Sequence, residues 1–154
     1  MTTGQWVLLV CVLLVVGFAM YRVATDGHFR GTRRTRVGAG TPSDETAATV
    51  LTAAGVDVPL GERATLLQFS SAFCAPCRAT RRVLGEVAEL VPGVTHVEVD
   101  AEHHLDLVRR LGIVRTPTTL VLDASGREVS RASGAPTRDA VLATLAAAVA
   151  PASE

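Results

Sequence analysis

Residues 66–77 read LLQFSSAFCAPC, an apolar run followed at once by two cysteines that are separated by Ala75 and Pro76. The run belongs to a short apolar segment bounded by polar residues, Ala64–Ser70, which favours a buried β-strand. The next segment, Ala75–Leu90, carries apolar residues at helical spacing and predicts an α-helix. The two cysteines are therefore expected where a strand ends and a helix begins.

This position gives the two cysteines different chemical properties. The amino terminus of a helix carries unpaired N–H groups and a partial positive charge, so it is expected to stabilise a thiolate at Cys74. Cys77, one turn into the helix, is expected to be more shielded, and Arg78 beside it adds positive charge that tunes the pair. Pro76 is tolerated because the first helical turn needs no amide donor there. Such a pair can attack a disulfide with one thiolate and resolve the product with the other thiol.

Two other interpretations of the cysteine pair stay open at this stage. A CxxC pair can be half of a zinc site, which would need two more ligands. The histidines are the candidates, but none has a recognised ligand spacing with the pair: His28, His96, His103 and His104. A structural, chemically inert pair is the other alternative. We predict no metal ligand and no organic cofactor.

After the helix Ala75–Leu90, further strand and helix patterns follow to the end of the chain. The predicted segments are a strand at 95–100, a helix at 102–111 closed by Gly112, strands at Thr118–Asp123 and 127–131 joined as a hairpin, and a helix at 137–150. In the first helix, four apolar residues are placed on one face: Val83, Leu84, Val87 and Leu90. The order β-α-β-α-β-β-α implies crossover connections and a partly parallel sheet, which makes an α/β domain over residues 57–154.

The stretch 66–77, together with the sequence Ile-Val-Arg-Thr-Pro-Thr at 113–118, resembles thioredoxin over about residues 60–150. The resemblance implies a thioredoxin-like fold, with a central mixed sheet flanked by helices, and a disulfide oxidoreductase that serves cell redox homeostasis. It also implies that Cys74 is the attacking nucleophile and Cys77 the resolving thiol. Protein thiols and disulfides are then the substrates, and an upstream electron donor is a further partner.

The resemblance also implies a substrate-binding surface around the pair. Thr116 and Pro117 are expected to form a cis peptide beside the cysteines that holds the substrate backbone, since cis bonds are essentially confined to X–Pro pairs. A trans proline at a strand edge is the alternative. Gly134 resembles a glycine that lines the substrate groove. The remaining substrate-binding residues lie next to the cysteines: Phe73, Ala75 and Pro76.

The sequence departs from the family pattern at four positions. Phe73 replaces a tryptophan and Ala75 replaces a glycine. Gln68 stands where the family has a buried acid that is thought to help deprotonate the resolving thiol, and an amide cannot accept a proton at neutral pH. His96 aligns with the lysine that accompanies this acid, so proton transfer is left to water, Glu98 or His96. Gln68 and His96 are expected to tune the pair, and Gln68 also favours the alternative of a binding module without redox activity.

Residues 1–24 predict a membrane anchor. No charged residue interrupts 2–21, of which 6–21 reads WVLLVCVLLVVGFAMY, and about 20 such residues span a hydrocarbon layer of about 30 Å as a helix. Trp6 and Tyr21 stand at its ends, where amphipathic rings favour the membrane interface. A cleaved signal peptide is the alternative, but no basic stretch precedes the run and no small-x-small site follows it. Contact with membrane lipid is expected over residues 2–24.

Residues 25–56 are predicted to be a basic, flexible linker that touches anionic lipid. Within it, either a helix that begins near Thr41-Pro42 and ends at Gly55, or a short edge strand at 49–52, is compatible with the sequence. Five arginines follow the span against one acid and favour a domain that faces the cytoplasm: Arg22, Arg30, Arg33, Arg34 and Arg36. The alternative is an extracytoplasmic domain that acts in envelope disulfide handling or cytochrome maturation.

Composition and the residues between the cysteines limit the function further. The formal net charge is zero, which gives no support for a nucleic-acid partner. Ala75 and Pro76 are electrically neutral, and no histidine between the cysteines stabilises the thiolate strongly. We therefore predict a reductase, with a potential nearer about −270 mV than about −120 mV.

Overall fold

The computed structural model describes residues 3–25, 27–31 and 46–149 of the 154-residue chain. Within these ranges the elements are, in order, α1 (Thr3–Thr25), β1 (Phe29–Gly31), α2 (Ala47–Ala53), β2 (Ala64–Ser70), α3 (Ala75–Leu90), β3 (Val94–Asp100), α4 (Leu105–Arg110), β4 (Thr118–Asp123), β5 (Glu128–Ser133) and α5 (Arg138–Val149). The predicted bounds of β2, α3 and β4 are confirmed to the residue. β3 begins one residue earlier than predicted, β5 begins one residue later and ends two residues later, and α5 begins one residue later, with its predicted end at 150 outside the described residues.

The five described strands form one sheet in the order β1-β5-β4-β2-β3. β2 and β3 run parallel, with Gln68 opposite Glu98, and α3 makes the crossover between them. β4 is antiparallel to both β2 and β5, and β1 is antiparallel to β5. The mixed α/β sheet flanked by helices is therefore confirmed.

Alternation along β2 sends its side chains to two separate cores. Leu67 and Phe69 pack in the cluster that includes α2 and α4, while Leu66 packs in the cluster beneath α3 and α5. Gln68 lies two residues from Leu66 and shares its face of the sheet. Its side chain is completely buried, so a polar amide lies beneath the helix that begins at the cysteines.

Helix α4 is shorter than predicted. It covers only Leu105–Arg110 instead of 102–111. The carboxylate of Asp100 accepts a hydrogen bond from the backbone N–H of Glu102 (2.8 Å) and contacts Nδ1 of His103 (2.9 Å). These side-chain bonds hold the chain in a turn after β3, because they compete with the first turn of a helix.

The predicted apolar face of α3 is only partly buried. Leu84 and Val87 are completely buried and Val83 is half-buried, but Leu90 is 56% exposed. Leu90 is the last helical residue, and beyond it the chain leaves the helix so that Val91 completes the core. Leu90 therefore shares the apolar face of α3 by spacing but lies at its exposed end.

Two elements of the domain lie inside the segment 25–56 that we took for a linker. Strand β1 pairs with β5, and its Phe29 packs against the core beneath α3 and α5. Helix α2 buries Val50 and Leu51, and the side chain of Thr46 caps it by accepting a hydrogen bond from a backbone N–H. The structure has the helix rather than the edge strand at 49–52, while its predicted start at 41–45 lies outside the described residues.

Helix α1 is exposed along its described side chains and has the composition of a membrane-crossing helix. Gly4–Tyr21 has a mean hydropathy of 2.2, and none of it is buried. By length and composition this helix is either a membrane span or a signal sequence. Cys11 is exposed on α1 and forms no disulfide. The other two cysteines, Cys74 and Cys77, are bonded to each other at the start of α3.

Candidate redox site

Cys74 and Cys77 form a disulfide at the amino terminus of α3, with their Cα atoms 5.2 Å apart. Cys74 is the N-cap residue, and its Sγ accepts a hydrogen bond from the backbone N–H of Cys77 (3.1 Å). Cys74 is half-buried, whereas only 2% of Cys77 is exposed. The predicted asymmetry is present: Cys74 is the more exposed residue and lies at the positive end of the helix, and Cys77 is shielded.

An apolar rim is exposed beside the disulfide. The side chain of Phe73 is 99% exposed, and Ala75 and Pro76 are exposed as well. Val114, in the loop before β4, is 88% exposed although Ile113 beside it is buried. Val114 was missed by the sequence analysis, because an Ile-Val pair does not by itself show which side chain faces the core.

The loop before β4 joins this rim through direct contacts. The Thr116–Pro117 peptide is cis, which confirms the prediction and excludes the trans alternative. The hydroxyl of Thr116 lies 3.1 Å from that of Ser71, in the loop that leads to Cys74. The backbone N–H of Gly134, at φ +101°, donates a hydrogen bond to the carbonyl of Pro117 (2.8 Å). Thr116, Pro117 and Gly134 are thus brought together next to the cysteine loop.

A polar network lies beneath the disulfide, centred on the buried amide of Gln68. Its Nε2 donates to the carbonyl of Cys77 (3.0 Å) and, at a longer distance of 3.5 Å, to a carboxylate oxygen of Glu98. Its Oε1 lies 3.2 Å from Nε2 of His96. Because the amide oxygen can only accept, His96 is the donor in this pair, which places its proton on Nε2.

Charged neighbours determine the protonation of this network. Burial by itself raises the pKa of Glu98, but hydrogen bonds from Arg81 and Ser70 and the charge of Arg81 outweigh it and hold that pKa below its usual value. Arg81 binds both carboxylate oxygens of Glu98. Burial lowers the pKa of His96, and Arg81 adds to the effect against the opposing charge of Glu98. At neutral pH the network therefore contains a carboxylate, a guanidinium and a neutral imidazole.

An open depression of about 320 Å³ lies beside the disulfide, between β3 and the start of α3. Its lining includes both cysteines and four charged residues: Arg78, Arg81, Glu98 and Asp100. The predicted tuning residue Arg78 is exposed at its edge. Arg81 and Glu98 were not predicted as a pair, since their contact depends on how α3 crosses β3 and no local pattern encodes it.

His103 and His104 lie outside the depression that the cysteines line, and His28 is exposed just before β1. His103 contacts Asp100, and His104 is the N-cap of α4. Both line a second depression near the end of α2, together with Ala53 and Ala54. Within the described part of the chain, no group of three or more His, Cys, Asp or Glu side chains is placed to hold a metal ion.

Residues 50–147 match the sequence model of the Thioredoxin family. The chain belongs to the thioredoxin family. It is 31% identical over 108 residues to thioredoxin of Mycobacterium bovis, and this match covers 68% of this chain and 92% of that protein. With putative thioredoxin H10 of Arabidopsis thaliana the match is 30% identical over 83 residues, 54% of this chain and only 53% of that relative. A mutant thioredoxin from Halobacterium salinarum has the same fold, with a TM-score of 0.55 at 20% identity over 60% of this chain and 80% of that one.

Family membership and the Cys74–Cys77 pair together establish the general chemistry. The protein is a thiol–disulfide oxidoreductase whose substrates are protein thiols and disulfides. Two electrons are exchanged between this dithiol–disulfide couple and that of the substrate.

Proposed function

We propose that the protein is a membrane-anchored reductase of protein disulfides, with Cys74 as the nucleophile and Cys77 as the resolving thiol. The observation that carries the proposal is the position of the Cys74 sulfur, which accepts the Cys77 N–H at the amino terminus of α3 while Cys77 itself is buried. In the reduced protein the same N–H and the helix dipole favour a thiolate at Cys74.

The reaction proceeds in two exchange steps. The Cys74 thiolate attacks one sulfur of a substrate disulfide, and the electron pair of the broken bond leaves with the other substrate sulfur, which takes a proton from water. Cys77 then loses its proton and attacks the Cys74 sulfur, so that the bond between Cys74 and the substrate breaks. The substrate leaves as a dithiol and the protein is left with the Cys74–Cys77 disulfide. An upstream dithiol donor restores the reduced form.

The proton of Cys77 passes to water in this proposal. Gln68 lies directly beneath Cys77 but is an amide and accepts no proton at neutral pH. Glu98 is paired with Arg81 and is therefore a weak base. Burial lowers the pKa of His96 and makes its ring a weaker base, and the ring nitrogen that faces Gln68 is a donor. The open depression beside Cys77 is the route by which water reaches this region. We expect resolution by Cys77 to be the slower of the two steps.

The exposed rim would hold the substrate on either side of the reacting sulfurs. Phe73, Ala75 and Pro76 offer apolar surface before and between the cysteines, and Val114 extends it along the next loop. Thr116, which is half-buried, would bind the substrate backbone, and the buried pair of Pro117 and Gly134, hydrogen-bonded to each other, would hold its loop in place. Burial of this rim on binding favours association with proteins over small disulfides, since the gain grows with the apolar area covered.

The anchor and its direction are part of the same proposal. The uninterrupted apolar surface of α1 fits a retained membrane helix, which would keep the protein in the cell membrane as a single-pass protein. The arginines that follow it favour a cytoplasmic domain. A reporter fused after Glu154 tests the side: activity that requires the extracytoplasmic space would place the domain outside and support the alternative of envelope disulfide handling or cytochrome maturation.

The reduction potential tests the reductase assignment. The full chain carrying Cys11→Ala would be equilibrated in detergent with glutathione or dithiothreitol redox buffers, and free thiols counted by an alkylation gel shift. Trp6, on the anchor, is the sole tryptophan, so fluorescence is a poor probe of the domain. A potential below about −240 mV supports a reductase, and one above about −160 mV contradicts it and indicates an oxidant.

A trapping experiment tests the roles of the two cysteines. The Cys77→Ser variant should accumulate a mixed disulfide with a disulfide-bonded protein such as insulin, because the resolving thiol is missing. The matched Cys74→Ser variant should not, since Cys77 is shielded. Equal trapping by both variants would contradict the assigned roles, and trapping by neither would favour a binding module without redox activity.

A further inference from the structure

The described domain begins almost immediately after the apolar helix. Helix α1 ends at Thr25, and the backbone N–H of Gly27 already donates a hydrogen bond to the carbonyl of Ser133 (3.0 Å). This hydrogen bond marks the point at which the chain attaches to the domain. Two peptide units span at most about 8 Å, so chain connectivity alone keeps this point of attachment close to the end of the helix. From Tyr21 to Thr25 the helix itself adds only about 6 Å.

This point of attachment lies beside the redox site. Ser133 precedes Gly134, whose N–H donates to the carbonyl of Pro117 (2.8 Å), the residue on the carboxyl side of the cis bond. Covalent dimensions then place the amide of Gly27 within about 8 Å of that carbonyl. A domain of about 100 residues is roughly 30 Å across, so an attachment at the opposite pole would have placed the site a full domain diameter further away.

The attachment is held by backbone packing and strand pairing. Gly27 has a φ of +74°, and a Cβ at this position would lie 2.1 Å from the carbonyl oxygen of Ala135, so the two backbones are in direct contact. The next residues pair with β5, with Phe29 opposite Ala132, and Phe29 packs on the core. The chain is therefore bound to the domain at Gly27 and over Phe29–Gly31.

The basic segment is a loop within the domain and not the link between the apolar helix and the domain. Residues 32–45 connect β1 to α2, which are both elements of the domain. They do not lie between the apolar helix and the domain, so their length adds nothing to the reach of the redox site. The connection that limits this reach is the short stretch between Thr25 and Gly27.

We infer that the redox site is held next to the membrane and that its substrates are disulfides in membrane-anchored proteins, close to the bilayer surface. The inference rests on the proposed function, since it requires α1 to be a retained anchor and the reduced pair to attack disulfides. The exchange is the one described above: the dithiol of the domain is oxidised, the cystine of the partner is reduced, and an external dithiol supplies the two electrons.

The test uses the full chain with Cys11→Ala, reconstituted in phosphatidylcholine nanodiscs, reduced with dithiothreitol and then desalted. The substrate is a peptide with a fluorophore and a quencher joined by a cystine. It is offered free, or attached to phosphatidylethanolamine by a tether of about 10 Å or of about 50 Å. One variant carries a rigid helical spacer of twenty residues between 26 and 27, which adds about 30 Å. The matched control carries the same spacer between 38 and 39.

The unmodified chain should reduce the peptide on the short tether at least as fast as that on the long tether. The spacer between 26 and 27 should slow the short-tether reaction at least tenfold and leave the long-tether reaction within about twofold, because only a longer tether can reach the displaced site. The control spacer should change neither rate more than twofold.

Two results would overturn the inference. Faster reduction of the long-tether peptide by the unmodified chain would mean that the site is remote from the bilayer, and this result needs no spacer variant. Equal effects of the two spacers would mean that β1 does not hold the chain and that the whole segment 26–45 is the tether. Failure of the unmodified chain to reduce the free peptide would instead contradict the proposed function.

Discussion

Replacement of Gln68 by glutamate tests the buried network most directly. The change is nearly isosteric and converts the amide beneath Cys77 into a carboxyl group. The side chain at this position is fully buried; its Oε1 lies 3.2 Å from Nε2 of His96, and its Nε2 end faces two oxygen atoms, the Cys77 carbonyl at 3.0 Å and a Glu98 carboxylate oxygen at 3.5 Å. In the ionised form, the introduced group would repel both of them.

The magnitude follows from these distances. Two unit negative charges 3.5 Å apart repel by about 5 kcal/mol at an effective dielectric constant of 20, and Arg81 on the far side of Glu98 reduces this value. The introduced carboxyl is therefore expected to stay protonated in the folded protein above the pH at which it ionises in the unfolded chain. The folded state then binds more protons, so stability falls as pH rises through that window, by about 1.4 kcal/mol per pH unit.

Near pH 4.5, Gln68→Glu should be about as stable as the unmodified protein. Between pH 5 and pH 7, the stability of the variant relative to the unmodified protein should fall by about 2–3 kcal/mol. Stability would be measured by urea unfolding of the full chain in detergent, followed by far-UV circular dichroism. Gln68→Met is the matched control, since it removes the same hydrogen bonds without a titratable group. Its loss of about 1–3 kcal/mol should be nearly independent of pH.

A flat stability difference for Gln68→Glu between pH 5 and pH 7 would refute this reasoning. It would mean that the introduced carboxyl reaches solvent or does not approach Glu98. The double variant Gln68→Glu with Glu98→Gln separates the two causes. If repulsion by Glu98 dominates, the pH dependence should shrink in the double variant, and if burial dominates it should persist.

Two further predictions concern the rim and the histidine. Phe73→Ala should leave the urea midpoint unchanged, because the side chain is 99% exposed, but should lower kcat/KM for insulin about tenfold while leaving the rate with a small aromatic disulfide within twofold. The lowered pKa of His96 means that the folded state binds fewer protons than the unfolded chain, so stability is lost as pH falls below about 6.5. His96 should titrate below that value by NMR, and a titration midpoint at or above 6.5 would contradict the burial of the ring. His96→Gln, which retains an N–H donor, should remove this part of the acid destabilisation.

The local signals in the sequence were enough to predict the redox centre. The apolar strand Ala64–Ser70, the helix Ala75–Leu90 and the CxxC pair between them follow one another in the chain, so periodicity and spacing located them to the residue. The cis peptide at Thr116–Pro117 came from the resemblance to thioredoxin and is present in the structure. Gly134 is hydrogen-bonded to the Pro117 carbonyl, and its role in a substrate groove stays a prediction.

Only the tertiary structure decided which groups surround the resolving thiol and where the domain is attached. Gln68 meets Glu98 because β2 and β3 pair in parallel, and Arg81 reaches the same carboxylate because α3 crosses that pair. β1 was missed because three residues are too short to carry a periodic pattern, and it is a strand only because β5 offers it an edge. These contacts join residues far apart in the chain, and their geometry depends on the packing of whole elements, which no local pattern encodes.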